Sequence, residues 1–150
     1  MPPTTVPSNP TAAPLTGGCY CGAVRYEVQG AISDETNCHC SICRRTTGAP
    51  FVTWFSVPLE GFRFTSGLPR TFHSTPEGER AFCATCGTQL TFRHQAYPGE
   101  IDVTTASLDD PECVPPRDHI HTSARLAWLS QGDGLPDYPH QRTPLPGGGT

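Results

Sequence analysis

Gly17-Gly18-Cys19-Tyr20-Cys21-Gly22 and Phe82-Cys83-Ala84-Thr85-Cys86-Gly87 are the stretches on which the reading of this chain turns. Each sets two thiols on one turn and places a glycine directly after the second cysteine. A backbone that wraps its N–H groups toward a thiolate often needs the freedom of glycine there. Four thiolates make a closed tetrahedral set, the arrangement of a structural zinc. The two pairs lie far apart in sequence. An ion held by Cys19, Cys21, Cys83 and Cys86 would therefore staple the start of a domain to its middle.

Between them lies Cys38-His39-Cys40-Ser41-Ile42-Cys43. Three protein ligands leave a fourth position for water or substrate, as at a catalytic zinc. Zn²⁺ with three thiolates carries a net charge of −1, so it is a weaker Lewis acid than zinc held by three histidines. Such a site suits binding another thiol, or steadying a thiol adduct of a small carbonyl, better than making hydroxide. The alternative is a second structural site closed by His39, His119, His121, Cys113 or another chain. Arg44 and Arg45 follow at once and could hold substrate carboxylates by paired hydrogen bonds; an ordinary solvated pair is the plainer reading. Thr46, Thr47 and Gly48 could donate to a ligand or simply make a turn.

The eight cysteines could also form disulfides. The chelating spacings oppose this, and so does the lack of an export signal at residues 1–14. Cytoplasmic residence is the expectation. No stretch reaches the length of a transmembrane helix. Formal net charge is −4, from 10 basic and 14 acidic residues, which argues against nucleic-acid binding through phosphate neutralisation.

A length of 150 residues suits one domain, and 15 glycines and 17 prolines favour short strands and many turns. Disordered tails are expected at 1–14 and 139–150, around a folded domain at 15–138. Strands are expected over Ala23–Val28, Phe51–Phe55, Gly61–Ser66, Arg70–His73, Arg80–Cys83, Gln89–Arg93, Ile101–Ala106 and His119–Thr122. Ser41–Thr46 reads as a short helical turn. The fold class is mainly β, a small zinc-stapled antiparallel sandwich or open barrel. Trp54, Phe55, Phe62, Phe64 and Phe72 read as core. His73 and His94 read as surface, and His119 and His121 as neighbours on one strand face. In an extended loop His39 points away from the metal of its flanking cysteines. Cys113 reads as a free loop thiol.

Gly18-Cys19-Tyr20-Cys21-Gly22-Ala23-Val24-Arg25-Tyr26, Cys38-His39-Cys40-Ser41-Ile42-Cys43-Arg44-Arg45 and Phe82-Cys83-Ala84-Thr85-Cys86-Gly87 together resemble the glutathione-dependent formaldehyde-activating enzyme family, also called the centromere protein V/GFA domain. Ala106 to Pro111, His119-Ile120 and Trp128 resemble its closing segment. The resemblance implies a zinc-pinned β fold of the type shared with methionine-R-sulfoxide reductases. It implies a structural zinc on Cys19, Cys21, Cys83 and Cys86, and an active-site zinc on Cys38, Cys40 and Cys43. It further implies a carbon–sulfur lyase joining glutathione and formaldehyde into S-hydroxymethylglutathione. The competing expectations are a non-catalytic zinc-stabilised binding module and, last, a thiol redox enzyme. The chain is shorter than the enzyme that names the family, so fold and metal carry over more firmly than substrate does.

Overall fold

The computed structural model describes residues 13–130 and 132–142; most of the two expected tails lies outside the described residues. In chain order the strands are β1 (Leu15–Gly18), β2 (Arg25–Val28), β3 (Ser33–Cys38), β4 (Val52–Pro58), β5 (Phe62–Ser66), β6 (Arg70–Thr75), β7 (Gly78–Phe82), β8 (Gln89–His94), β9 (Glu100–Thr104) and β10 (Asp118–Ile120). One α-helix, α1 (Ser41–Thr47), follows β3, and four single turns of 3-10 helix complete the described elements.

The strands form two sheets, a three-stranded one in the order β1-β2-β5 and a seven-stranded one in the order β10-β3-β4-β9-β8-β7-β6. All pairings are antiparallel except β10 with β3. Neither sheet closes into a barrel.

The central strand β4 explains the layering. Successive side chains of a strand point to opposite faces. Trp54, Phe55, Ser56 and Val57 are nonetheless all buried, so β4 is covered on both sides. Phe55 and Val57 join Tyr26, Val28, Leu90, Ile101 and Val103 in the main core. Val52 and Trp54 look the other way and pack with Cys38 and Cys43 in a second cluster. Trp54 is core, as expected, but strand alternation sets it in the second cluster rather than with Phe55. Phe62 and Phe64 flank the main core as half-buried rings, and Phe62 stacks on Tyr26 at 5.3 Å.

Two strands escaped the sequence pattern. β1 is Leu-Thr-Gly-Gly, poor in strand formers, yet Gly17 is needed there: a Cβ would come within 2.4 Å of the Tyr26 hydroxyl. β3 is Ser-Asp-Glu-Thr-Asn-Cys and carries no apolar alternation. Its buried polar groups are paired instead: Thr36 donates to Asp118, and Thr53 donates to Asn37 at 2.6 Å. Arg142 lies against both Asp34 and Asp118, so contacts continue beyond Tyr138 to the last described residue.

Asp102 on β9 accepts a hydrogen bond from Ser56 at 2.6 Å, while burial pushes its carboxyl up to about 6. The folded state therefore binds a proton that the unfolded state releases near 3.8, and stability declines as pH rises between those values. Asp102→Asn should remove that decline and raise stability at pH 8 by about 1–2 kcal/mol, with little effect at pH 4. Urea unfolding of both proteins at the two pH values checks this.

Candidate metal centres and the adjoining cleft

The four-cysteine group is built from two similar loops. Cys19 to Val24 joins β1 to β2, and Cys83 to Thr88 joins β7 to β8. In each, the first cysteine N–H reaches the carbonyl five residues on at 3.0 Å (Val24, Thr88). In each, the glycine N–H returns to the first cysteine carbonyl, from Gly22 at 3.1 Å and from Gly87 at 2.8 Å. Gly22 and Gly87 have φ of 82° and 83°, with open space where a Cβ would sit. Left-handed backbone, not lack of room, calls for glycine at both.

All four sulfurs lie within 4.8 Å of one another. Cys19 to Cys21 is 3.6 Å and Cys21 to Cys83 is 3.7 Å. A tetrahedral zinc with Zn–S near 2.3 Å sets S–S edges of about 3.8 Å, so the donors fit such an ion. Val24 N–H points at the Cys19 sulfur from 3.2 Å. Thr88 ties the loops together: its hydroxyl is 3.2 Å from Cys86 Sγ and accepts from Tyr20 N–H at 3.1 Å. The Thr88 contacts, hydroxyl first and backbone second, lower the Cys86 thiol to about 5. Cys19 and Cys83 are buried, Cys86 is half-buried and Cys21 is exposed.

Cys38, Cys40 and Cys43 also bring their sulfurs within 4.8 Å of one another. Cys38 ends β3, Cys40 caps α1 and Cys43 lies in its first turn, with Cys43 N–H pointing at Cys40 Sγ from 3.3 Å. Hydrogen bonds from Cys38 and then Cys43 pull Cys40 down to about 2, and the same contact with Cys40 pushes Cys38 up. A cation bound there would draw off the thiol protons. Among the described residues no fourth cysteine joins this group.

Two features around the trio were not legible in the sequence. Arg80 of β7 is 4% exposed, and its Nη2 points at Cys43 Sγ from 3.6 Å. Its guanidinium lies 4.7 Å from the Phe92 ring centroid and 5.7 Å from that of Trp54, and Nε donates to Ser74 at 2.9 Å. No motif flags it: the pairing of Arg80 with Phe92 across β7 and β8 sets its long side chain on the face that carries the trio. Secondly, His39 is turned away from the cysteine sulfurs, as expected, toward His119 Nδ1 at 3.0 Å. His119 Nε2 in turn meets Asp133 at 2.8 Å. Both histidines are buried. The expectation that His119 and His121 share a strand face is corrected: β10 ends at Ile120, and His121 turns into left-handed backbone at φ 53°.

Arg44 is half-buried and Arg45 exposed, both in the last turn of α1, where positive charge favours the helix dipole. Arg44 Nε is buried without a hydrogen-bond partner among the described residues. Cys113 is exposed and its thiol donates to the Asp110 carbonyl at 2.9 Å. His73 is exposed and His94 half-buried.

A cleft of about 870 Å³ runs beside both groups. Cys19, Cys86 and Thr88 line it on one side, and Thr46, Thr47 and Phe51, just beyond the trio, on the other. Neither the trio nor Arg44 nor Arg45 is part of this lining. Arg25 and Asp109 form an ion pair at its rim that holds the Asp109 carboxyl down at about 2.

Comparison with known proteins gives a consistent picture. The family described as glutathione-dependent formaldehyde-activating enzyme matches residues 14–124. A Halomonas elongata protein assigned by name to glutathione-dependent formaldehyde activation is 29% identical over 127 residues, covering 77% of this chain and 79% of that protein. An uncharacterized lyase of Schizosaccharomyces pombe is 30% identical over 81 residues, covering 52% of this chain and 56% of its own. The crystal structure of a Rhodobacter sphaeroides protein superposes with a TM-score of 0.55 at 25% identity, covering 82% of this chain and 98% of that one.

Cys83→Ser removes a buried donor shared by the metal set and the main core. It should lower Tm by more than about 10 °C, whereas Cys113→Ser should move it by less than about 2 °C. Thermal melts followed by circular dichroism, with and without a strong chelator, check both. Chelation should bring the parent protein down toward the Cys83 variant.

Proposed function

The chain belongs to the glutathione-dependent formaldehyde-activating enzyme family, and on that premise we propose that it is a zinc-dependent carbon–sulfur lyase. Its substrate is the adduct of a small thiol with a small aldehyde, of which glutathione with formaldehyde is the leading case. The observation that carries the reading is the convergence of Cys38, Cys40 and Cys43 as three donors beside a second, complete four-cysteine set. The two sets divide the work: Cys19, Cys21, Cys83 and Cys86 hold a structural zinc, and the trio holds the active-site zinc. With three protein ligands, that zinc supplies an open position that can polarise an oxygen or bind a sulfur.

The chain's own groups have definite parts. Cys38, Cys40 and Cys43 bind the ion as thiolates. Arg44 and Arg45, one turn further along α1, receive the carboxylates of the thiol substrate. The neighbouring cleft, with the hydroxyls of Thr46, Thr47 and Thr88, gives the peptide portion of a thiol such as glutathione a place to lie. The His39–His119–Asp133 chain holds the loop between Cys38 and Cys40 in one orientation. In the forward direction the thiol sulfur bonds to the carbonyl carbon, and the thiol's proton ends on the carbonyl oxygen. The reverse breaks the same bond and returns the proton. Holding the two reactants together supplies most of the acceleration. No described helix is long and apolar enough to cross a membrane, and we place the activity in the cytoplasm, where small thiols stay reduced.

Exchange between free glutathione plus formaldehyde and the hydroxymethyl adduct, followed by NMR magnetisation transfer, tests the proposal. The zinc-loaded protein should accelerate exchange. Cys40→Ser should cut that acceleration by at least about 100-fold while its melt stays close to the parent's. A Cys40 variant that has lost the second metal yet exchanges at the parent rate contradicts the reading.

A further inference from the structure

Arg80 is a buried cation whose charge nothing above accounts for. A guanidinium stays protonated in any protein environment, and taking it out of water is costly unless an anion faces it. Among the described residues no carboxylate lies within ion-pair distance of Arg80. Asp102, two strands away, is near enough to feel its charge but is itself bonded to Ser56. Ser74 Oγ accepts a hydrogen bond from Nε–H, and Nη1 is buried with no hydrogen-bond partner among the described residues. The one group in direct contact that can carry negative charge is the Cys43 sulfur. The faces of Phe92 and Trp54 cover the remaining surface of the guanidinium.

We propose that Arg80 is the built-in countercharge of the three-cysteine centre and the positioning residue that lets it accept a thiolate as its fourth ligand. The second half of this statement rests on the function proposed above; the first does not. Three thiolates and a divalent ion sum to −1, and Arg80 brings the buried unit to neutrality. An incoming thiolate would take the bare centre to −2 in a sheltered setting. With Arg80 beneath Cys43 the same step ends at −1, so a fourth sulfur is less strongly repelled. The neighbouring faces of Phe92 and Trp54, which lie against the guanidinium, also hold the fork against Cys43, which a flexible ammonium does less well.

Cobalt(II) in place of zinc reads out both halves, because its absorption bands report sulfur ligation. Arg80→Met removes the charge at similar bulk, and Arg80→Lys keeps it. In Arg80→Met the second cobalt should bind about 10-fold more weakly by chelator competition, with the four-cysteine cobalt unchanged. Arg80→Lys should stay within about threefold of the parent. Glutathione added to the cobalt-loaded parent should shift the bands of the second centre, and in Arg80→Met it should do so only at about 10-fold higher concentration. Unchanged second-site affinity in Arg80→Met overturns the countercharge, as does an equal loss in Arg80→Lys. If Arg80→Met also loses the four-cysteine cobalt, Arg80→Lys alone decides, on the same threshold. A parent centre that loses affinity in Arg80→Met but ignores glutathione leaves the countercharge standing and removes the fourth-thiolate role, while the lyase reading is decided separately by the exchange measurement.

Discussion

Four cysteine sulfurs from two distant loops converge within 4.8 Å of one another, and the zinc proposed there would hold the molecule in register. Cys19 and Cys21 lie between the first two strands of the small sheet, and Cys83 and Cys86 between two strands of the large one. Two of the four are buried in the main core, so the junction is continuous with apolar packing. A chain with 35% hydrophobic residues and abundant turns buries a small core, and domains of that kind commonly rely on a metal or disulfide for the remaining stability.

The large sheet is a wall with a different task on each face. One face carries Phe55, Val57, Ile101 and Val103 into the core. The other carries Cys38, Val52, Trp54, Phe92 and Arg80 toward the second cysteine group. Strand alternation therefore separates the four-cysteine group from the three-cysteine group, and a change on the second face need not disturb the first. Helix α1 is short, with seven residues, and its role is local. It begins at Cys40, turns Cys43 inward toward Cys38, and leaves Arg44 and Arg45 at its far end.

Much of this was legible in the sequence because cysteine spacing encodes geometry directly. Both cysteine groups, the need for glycine at Gly22 and Gly87, and eight of the ten described strands could be read, with boundaries within about three residues. What escaped had a common cause. β3 pairs its polar groups internally, so it lacks the alternation that marks a half-buried strand. β1 is a strand through its pairing with β2, and Tyr26, its partner across the ladder, requires glycine at Gly17. Arg80, Thr88 and Asp133 reach the two centres through strand pairing and loop closure, from positions that carry no motif, and His119, though flagged in the sequence, meets His39 rather than the cysteines. Left-handed backbone at His121, which ends β10 early, has no marker in the residue type.

The central claim is that seven cysteines hold two zinc ions in different ways, one closed and one open. X-ray absorption at the zinc edge of the purified protein, together with metal content per chain, measures this directly. The account predicts two zincs per chain, a first shell of sulfur with a minor oxygen or nitrogen contribution, and replacement of that lighter ligand by sulfur when glutathione is added. A single zinc per chain, or two zincs whose shells are both all-sulfur before any thiol is added, contradicts it.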